Sequence, residues 1–253
     1  MIRTAMMLTF WGILLPLAAL VCFPWTILTG DIRFLYRVGM WGAFTGVRLA
    51  GVTVQTIGRE KLDQSRTYVY MANHASFIDP PLLLPLIPAR TSVMAKQELF
   101  RYPILGKVMT LGSLVPVDRG NRDAGIAAVR AAEEVIRQGV SMTIFVEGKR
   151  SFDGKLLPFK KGPFYLATEC QVPVVPVSIA GTHFILPKHR HTIRPATATV
   201  IFHDPIEPQD FGDRECLMLK VRQAINAGLA PEYQQENFET ATDRDFHEGA
   251  AEA

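Results

Sequence analysis

The stretch TYVYMANHASFIDPP, residues 67–81, contains the pattern that decides the fold. It begins with β-branched and aromatic residues that predict a buried strand, passes through a short polar segment, and ends at Pro80 and Pro81. Proline is favoured in the first turn of a helix, because backbone N–H groups in that turn have no intrahelical partner and the missing one costs nothing. A helix is therefore predicted to begin there. A strand that leads through a turn into a helix is the repeating unit of α/β domains.

Short strands alternate with helical stretches along the rest of the chain, from about residue 52 onward. The helices include residues 213–229 and residues 123–138, the latter with apolar residues at helical spacing and Gly139 as a C-cap. This alternation predicts a layered α/β domain. Its strands are predicted at residues 52–57, 67–71, 91–94, 114–117, 141–146, 174–179 and 197–202.

The N-terminal part of the chain has a different composition. Residues 4–30 contain no charged side chain, and about 20 apolar residues are enough to cross a bilayer as a helix. Pro16 and Pro24 interrupt this run and are expected to break or kink it. Residues 31–49 mix arginine with Trp and Phe, which is typical of an amphipathic helix at an anionic lipid surface. We therefore predict a membrane-anchoring helical hairpin over residues 1–51 that dips into one leaflet.

Two alternatives for this N-terminal run are less favoured. A cleaved signal peptide has a shorter apolar region, and no small-x-small cleavage site follows the run before Asp31. A buried core helix rarely consists of an uncharged terminal run of this length. Beyond the anchor, residues 52–233 are predicted to form the α/β domain, and the acidic tail at residues 234–253 is predicted to be disordered.

The overall composition excludes some classes of protein. A chain of 253 residues with 48% hydrophobic content can bury a substantial core. Its net charge of +3 is too small to indicate nucleic acid as the main partner. The three cysteines are widely spaced and odd in number, which argues against a disulfide framework or a metal knuckle. Histidines and cations alternate in KHRH, residues 188–191, and those cations oppose the binding of a metal ion. No metal site is predicted.

A candidate catalytic pair lies in the opening stretch, where His74 follows the predicted strand and Asp79 follows His74 by five positions. On one continuous helix their side chains would point about 140° apart, so they can pair only across a turn. The paired carboxylate would hold one imidazole nitrogen and leave the other to take a proton from an alcohol, which makes His74 a candidate general base. Alternatively, Ser76-x-x-Asp79 is a capping box, and Asp79 only caps the following helix.

Two later segments carry cations at predicted strand ends. In VPVDRG, residues 115–120, Arg119 precedes a helix N-terminus, and both features favour a phosphate; a surface ion pair is the alternative. In FVEGKRS, Glu147 and Arg150 suit a hydroxyl with an adjacent phosphate, and Gly148 lets the backbone approach closely. A fourth segment, VPVVPV, has too little polarity for catalysis and is predicted to form a strand and an apolar wall.

Taken together over residues 73–177, the motifs H-x-x-x-x-D, VPVDRG, FVEGKRS and VPVVPV resemble the glycerolipid acyltransferase family, specifically the 1-acylglycerol-3-phosphate acyltransferases. The resemblance implies a mixed sheet flanked by helices. It implies that His74 is the general base and that Asp79 orients it. The residues implied in acceptor binding are Lys96, Arg119, Glu147, Gly148 and Arg150. Lys149 stands where the family commonly has Thr, which bears on the identity of the acceptor.

The resemblance also implies a reaction and a location. A fatty acyl group would pass from acyl-CoA or acyl-carrier protein to lysophosphatidic acid, giving phosphatidic acid for phospholipid biosynthesis, without a cofactor. The acceptor hydroxyl, deprotonated by His74, would attack the thioester directly. The partners would be the lipid bilayer, the acceptor and the donor. The active site would face the cytoplasm, on the inner membrane if the protein is bacterial.

Other functions remain open on the sequence alone. The acceptor could be glycerol 3-phosphate, another lysophospholipid or an aminoacyl lipid precursor. The chain could also be a non-catalytic lipid-binding membrane module, or a hydrolase that releases fatty acid. A serine acyl-enzyme through Ser76 is disfavoured, because this residue is only two positions from His74 and has a simpler role as a cap.

Overall fold

The structure, a computed structural model, describes residues 2–118, 122–190 and 192–235. Two N-terminal helices precede a domain in which strands and helices alternate. The helices are α1 (Ile2–Thr29), α2 (Arg33–Leu49), α3 (Asp79–Leu83), α4 (Pro103–Leu111), α5 (Arg122–Arg137), α6 (Gly162–Cys170), α7 (Thr182–Ile185) and α8 (Arg214–Ala227). The strands are β1 (Thr53–Ile57), β2 (Val69–Ala72), β3 (Thr91–Lys96), β4 (Val115–Val117), β5 (Ser141–Phe145), β6 (Val174–Ala180) and β7 (Thr197–Phe202).

The strands form one seven-stranded sheet in the order β1-β7-β6-β2-β5-β3-β4. All neighbouring strands are parallel except β6 and β7, which are antiparallel, so the implied mixed sheet is confirmed. The carboxyl ends of β2, β5, β3 and β4 therefore meet at one edge of the sheet. Ligand sites in such sheets form at this edge. His74 and Glu147 follow the carboxyl ends of the two neighbouring strands β2 and β5.

Helices cover both faces of the sheet, as the pattern of β2 illustrates. Tyr70 and Ala72 join the apolar cluster that includes residues of α2 and α3, whereas Val69 and Met71 join the cluster with α5, α6 and α8. All four side chains are fully buried. A strand covered on both faces reads as a continuous apolar run, which is why this stretch could be recognised in the sequence.

The predicted elements of this domain are confirmed within two residues at each end. Gly139 ends α5 as predicted: its φ is +75°, and its N–H donates to the Ile136 carbonyl at 2.9 Å. The predicted disorder of the tail falls on residues 236–253, which lie outside the described residues. Gln234 and Gln235, which were included in that prediction, are instead held by hydrogen bonds.

The N-terminal helices pack against each other as an antiparallel hairpin. The indole N–H of Trp11 donates to the Gly42 carbonyl at 3.0 Å, and Phe10 meets Trp41 edge to face with ring centroids 5.8 Å apart. The hairpin is joined to the sheet domain where the Ile193 N–H donates to Thr4 Oγ1 at 3.0 Å. An apolar window of α1 has a mean hydropathy of 2.2 and is only 11% buried, so α1 is long and apolar enough to cross a membrane.

The expected break at the prolines is wrong, because α1 runs through Pro16 and Pro24 without interruption. A proline in a helix removes one i→i−4 hydrogen bond and crowds the preceding turn, but its fixed φ is itself helical. The adjacent turns of α1 supply the remaining backbone hydrogen bonds on both sides of each proline. The helix is therefore one piece of 28 residues, about 42 Å long.

Candidate active site

His74 and Asp79 are in direct contact, with Nδ1 of the imidazole 2.7 Å from Oδ2 of the carboxylate. His74 lies two residues after the end of β2, and Asp79 is the first residue of α3. A tight turn joins them. Asp79 has no exposed surface, and His74 is 8% exposed. Because Nδ1 is held by the carboxylate, Nε2 is the nitrogen left to face a substrate.

The turn between these residues is built around the same carboxylate oxygen. Asp79 Oδ2 also accepts from the backbone N–H groups of Ala75 at 2.7 Å and Ser76 at 2.8 Å. The capping box itself is not formed, because Ile78 is the N-cap of α3 and the Asp79 N–H donates to the Ser76 carbonyl instead of its hydroxyl. Ser76 Oγ donates to the Leu186 carbonyl at 2.8 Å, and the buried hydroxyl thereby ties the turn to the segment after α7.

His74 is fixed on its other sides by β5 and the segment that follows it. Its ring stacks on Phe145 with centroids 4.3 Å apart and an interplanar angle of 29°. Its carbonyl accepts from the Ser151 N–H at 2.8 Å, and its own N–H donates to Glu147 Oε1 at 2.8 Å. Both the ring and the backbone of His74 are therefore held in place before any substrate binds, which is what general-base catalysis requires.

Glu147 lies beneath the dyad and is 1% exposed. Its Oε1 accepts from His74, and its Oε2 accepts from the Leu157 N–H at 2.9 Å. Burial raises the pKa of Glu147 to about 8, although these two amides and the cation of Arg222 act in the opposite direction. Both oxygens are occupied by the backbone, so the geometry gives Glu147 a role in holding the His74 segment. Acceptor binding by its carboxylate stays a prediction.

The other candidate residues occupy different positions around the dyad. Gly148 makes the turn after β5 with φ +69°, and Arg150 places its guanidinium 3.4 Å from the ring centroid of Phe77, which is 62% exposed. Lys96 ends β3, beyond β5, and its exposed ammonium pairs with Glu98 at 2.9 Å. Arg119 lies outside the described residues. The structure thus brings together His74, Asp79 and Glu147, and Arg150 directly precedes Ser151, whose N–H donates to the His74 carbonyl.

Two residues that help to build the site were missed in the sequence. Asn73 bridges to β6, donating from Nδ2 to the Ile179 carbonyl at 2.9 Å and accepting from the Ile179 N–H at 2.7 Å. Phe145 supports the imidazole ring. A polar residue directly before the candidate base was a usable signal for Asn73, whereas Phe145 looks in the sequence like any other core position.

A groove of about 790 Å³ runs between α5 and α6, past the carboxyl ends of β3 and β5. Its apolar wall includes Ile126, Val129 and Ile144, and it shares Phe145 and Gly148 with the site. Arg130, Lys160 and Glu133 are among the charged residues that line it. The groove thus adjoins the residues that hold His74.

Within the described part of the chain, no group of three or more His, Cys, Asp or Glu residues is arranged to hold a metal ion. In the KHRH segment, His189 stacks on Phe152 with ring centroids 4.9 Å apart, and Lys188 Nζ lies 3.7 Å from the same ring centroid. His191 lies outside the described residues. The described cysteines, Cys22, Cys170 and Cys216, are all free thiols.

Comparison with known proteins gives matches over most of the chain. The family model described as Acyltransferase matches residues 41–180. A protein from Cocos nucifera named 1-acyl-sn-glycerol-3-phosphate acyltransferase is 34% identical over 198 residues, which are 78% of this chain and 63% of the relative. A protein of the same name from Limnanthes alba is 35% identical over 79% of this chain and 69% of its own length. The beta form from Homo sapiens is 34% identical over 50% of this chain and 46% of its own length.

One solved structure is similar over nearly the whole fold. The crystal structure of the 1-acyl-sn-glycerophosphate (LPA) acyltransferase PlsC from Thermotoga maritima aligns with a TM-score of 0.74 and 28% identity. The alignment covers 90% of this chain and 95% of that chain. It therefore spans both the hairpin region and the sheet domain.

Replacing Glu147 with Gln should flatten the dependence of stability on pH. Burial raises the pKa of this carboxyl from 4.5 to about 8, so its contribution to stability is complete below pH 4.5 and is lost as the pH rises through about 8. Over this range the free energy of unfolding of the unsubstituted protein should fall relative to that of Glu147→Gln. His183 and His203, whose pKa values are lowered by burial, act on both proteins alike. Denaturant titrations in mild detergent between about pH 5 and pH 8 measure both slopes.

Glu98→Gln provides the matched control for this comparison. The exposed Glu98 has its pKa lowered by a hydrogen bond from Lys96, so it titrates below this pH range and should leave the slope unchanged. Parallel curves for Glu147→Gln and the unsubstituted protein would show that Glu147 does not titrate as its burial requires.

Proposed function

This chain belongs to the acyltransferase family, and on that basis we propose that it transfers a fatty acyl group from a thioester to the free hydroxyl of lysophosphatidic acid. The product is phosphatidic acid, a precursor in phospholipid biosynthesis. The observation that carries the proposal is the buried contact of 2.7 Å between His74 and Asp79, in a chain whose relatives carry this activity in their names. The similarity to a solved lysophosphatidic acid acyltransferase supports the same assignment.

The reaction follows from the orientation of the imidazole. Nε2 of His74 takes the proton of the acceptor hydroxyl as its oxygen attacks the thioester carbonyl carbon, while Asp79 stabilises the imidazolium that forms. The tetrahedral intermediate then collapses, the C–S bond breaks, and the leaving sulfur takes the proton back from His74. No covalent acyl-enzyme is formed. Ser76 agrees with this direct route, because its buried hydroxyl donates to the Leu186 carbonyl instead of facing the imidazole.

Recognition of the acceptor phosphate is assigned to cations beside the dyad. Arg150 directly precedes Ser151, whose N–H donates to the His74 carbonyl, so its backbone lies next to the dyad in the fold. Its guanidinium is a planar fork that matches two phosphate oxygens, and Phe77 supports it from one side. Lys96 and Arg119 are proposed as further phosphate contacts, and Gly148 as the point of close backbone approach.

The donor is proposed to be an acyl thioester of coenzyme A or of acyl-carrier protein, which share a phosphopantetheine arm. The groove between α5 and α6 is lined in part by Phe145, which stacks on His74, and by Lys160 and Arg130. Apolar walls with cations suit an arm that carries an acyl chain at one end and a phosphate at the other. We assign this groove to the donor.

The protein is proposed to work at the bilayer surface, anchored by the α1–α2 hairpin. The outer side of α1 exposes many large apolar side chains, and Trp25 and Trp41 are 52% and 57% exposed. Arg33 and Arg37 accompany the aromatic residues at the tip of the hairpin. Exposed indole rings with neighbouring arginines are typical of the headgroup region.

The active site is proposed to face the cytoplasm. A maleimide that cannot cross the membrane should then label the exposed Cys216 only from the cytoplasmic side.

The His74→Ala variant should lose on the order of 10³-fold in turnover, because a general base contributes about 10²–10⁴-fold. The assay follows thiol release from acyl-CoA by the detergent-purified protein, with and without lysophosphatidic acid, and identifies the lipid product. Ser76→Ala is the matched control and should stay within a few-fold of the unsubstituted enzyme. A folded but inactive Ser76→Ala protein would contradict the direct mechanism.

The same assay separates the alternatives to this reaction. Thiol release that does not need an acceptor indicates a thioesterase. Release that requires glycerol 3-phosphate or another lysolipid, and not lysophosphatidic acid, overturns the proposed acceptor. Absence of release with both donors and every acceptor favours a binding module.

Vesicles with brominated acyl chains should quench the tryptophan fluorescence of the protein, because all three tryptophans lie in the hairpin and two of them are exposed. The Trp25→Phe/Trp41→Phe double variant retains only Trp11, which packs on Gly42, and should lose most of the quenching. Unquenched fluorescence in a protein that still sediments with the vesicles would place the membrane contact elsewhere.

Replacing Gly125 with Phe should raise KM for the donor by about tenfold and leave KM for the acceptor unchanged. Gly125 lines the groove, and a Cβ there meets nothing within 4 Å, so the aromatic ring can fill the groove without a backbone clash. Gly125→Ala is the control: it adds one methyl group, improves helix propensity and should leave both constants near their original values. A rise in acceptor KM instead would reassign the groove.

A further inference from the structure

The last described residues of the chain are bound to the sheet domain by a ring of hydrogen bonds. The Gln235 N–H donates to Asn226 Oδ1 at 2.9 Å, and the Gln235 carbonyl accepts from Asn226 Nδ2 at 3.2 Å. The Gln235 side chain then reaches the segment between Gly148 and α6: its Nε2 donates to the Leu156 carbonyl at 3.0 Å. Its Oε1 accepts from Arg222 Nη2 at 2.8 Å. Gln235 therefore joins α8 to this segment.

Arg222 connects the same two parts of the structure from the side of α8. Its Nη1 donates to the Leu157 carbonyl at 3.1 Å, and its guanidinium lies 5.1 Å from the ring centroid of Phe159. The segment it holds, residues 149–161, contains no helix or strand. We call this segment the 149–161 loop. Its placement therefore depends on separate contacts such as these and the backbone bonds of Ser151 to His74 and of Lys160 to Val146, instead of on a regular hydrogen-bond ladder.

The 149–161 loop is directly coupled to the catalytic dyad. The Leu157 N–H donates to Glu147 Oε2 at 2.9 Å, and Glu147 Oε1 accepts from the His74 N–H at 2.8 Å. A series of contacts thus runs from Gln235 through Arg222, the backbone N–H and carbonyl of Leu157, and Glu147 to His74. The loop also contacts His74 directly, because the Ser151 N–H at the start of the loop donates to the His74 carbonyl at 2.8 Å.

Charge couples the ends of this chain as well. Burial lowers the pKa of Arg222, and the neighbouring Glu147 acts in the opposite direction. Arg222 in turn favours the ionised form of Glu147 against its burial. The two groups lie on either side of Leu157, whose N–H donates to Glu147 and whose carbonyl accepts from Arg222.

We propose that Arg222 and Gln235 are positioning residues for acyl transfer, which set the placement of His74 through the 149–161 loop and Glu147. This inference rests on the proposed function for its kinetic consequence. Neither residue contacts the dyad, so both act on the reaction only through the residues between. A shift of about 1 Å in a catalytic group can cost on the order of 10²-fold in rate, which is the scale of displacement that a released loop permits.

The chain provides a matched control next to Gln235. The side chain of Gln234 donates from Nε2 to the Leu229 carbonyl at 2.8 Å and, within the described residues, makes no hydrogen bond to the 149–161 loop. Both residues are glutamines in the same segment, but the side chain of Gln234 makes one hydrogen bond and that of Gln235 makes two. Gln235→Ala should therefore lower the stability more than Gln234→Ala, and only Gln235→Ala should speed amide exchange at His74 beyond its effect on the rest of the domain.

The experiment compares Gln235→Ala, Gln234→Ala and Arg222→Leu in the full-length protein in mild detergent. Steady-state kinetics with acyl-CoA and lysophosphatidic acid should show kcat lowered about tenfold in Gln235→Ala and Arg222→Leu, with both KM values unchanged. Amide hydrogen exchange by mass spectrometry should show faster exchange at the His74 and Leu157 amides in the same two variants. Gln234→Ala should match the unsubstituted protein in both measurements.

Each outcome decides the inference in one direction. Unchanged exchange at His74 and Leu157 in Gln235→Ala, or a rise in KM without a fall in kcat, overturns it. Equal effects of Gln234→Ala and Gln235→Ala reduce both residues to general stabilisers and also overturn it. If Arg222→Leu does not fold, Gln235→Ala alone decides. Absence of turnover in the unsubstituted protein would count against the proposed function, while the exchange result would still test the coupling.

Discussion

One buried carboxylate oxygen, Asp79 Oδ2, organises the candidate active site. It accepts from the imidazole of His74 and from the backbone amides of Ala75 and Ser76, all within 2.8 Å. The amides set the turn that leads from β2 into α3, and the imidazole bond sets which ring nitrogen faces outward. The conformation of the turn and the orientation of the His74 ring therefore depend on the same oxygen atom. A carboxylate can serve several donors in this way because each of its oxygens has more than one lone pair.

The parts of this arrangement that the sequence could predict are those with local causes. The strands were found from runs of β-branched and aromatic residues, and the pairing of His74 with Asp79 was recognisable because the partners are five residues apart. The bond between His74 and Glu147 spans 73 residues, and the one between Asn73 and Ile179 spans 106. Both depend on β2 lying between β5 and β6, and residue periodicity does not determine the order of strands. The role of Glu147 beneath the dyad could not be derived for the same reason.

The hairpin shows a different limit of prediction from sequence. Pro16 and Pro24 indicated a broken helix, because the rule for proline considers only its local effect on the helix and not the packing around it. In α1 the helical turns before and after each proline continue the helix, and α2 packs along it through contacts such as that of Trp11 with Gly42. A long apolar helix with a packed neighbour tolerates a lost hydrogen bond that a short isolated helix would not.

The bond between Thr4 and Ile193 has a consequence for the order of events during synthesis. Its two partners are 189 residues apart, so it cannot form until β7 is about to leave the ribosome. By then α1 and α2 have long been made, and the apolar outer side of α1 has had no contact with the sheet domain. At about 5–20 residues per second, this interval lasts on the order of ten seconds or more. During that time only α2, a chaperone or a lipid surface can shield α1 from water, so early contact with the membrane would protect the nascent chain from aggregation.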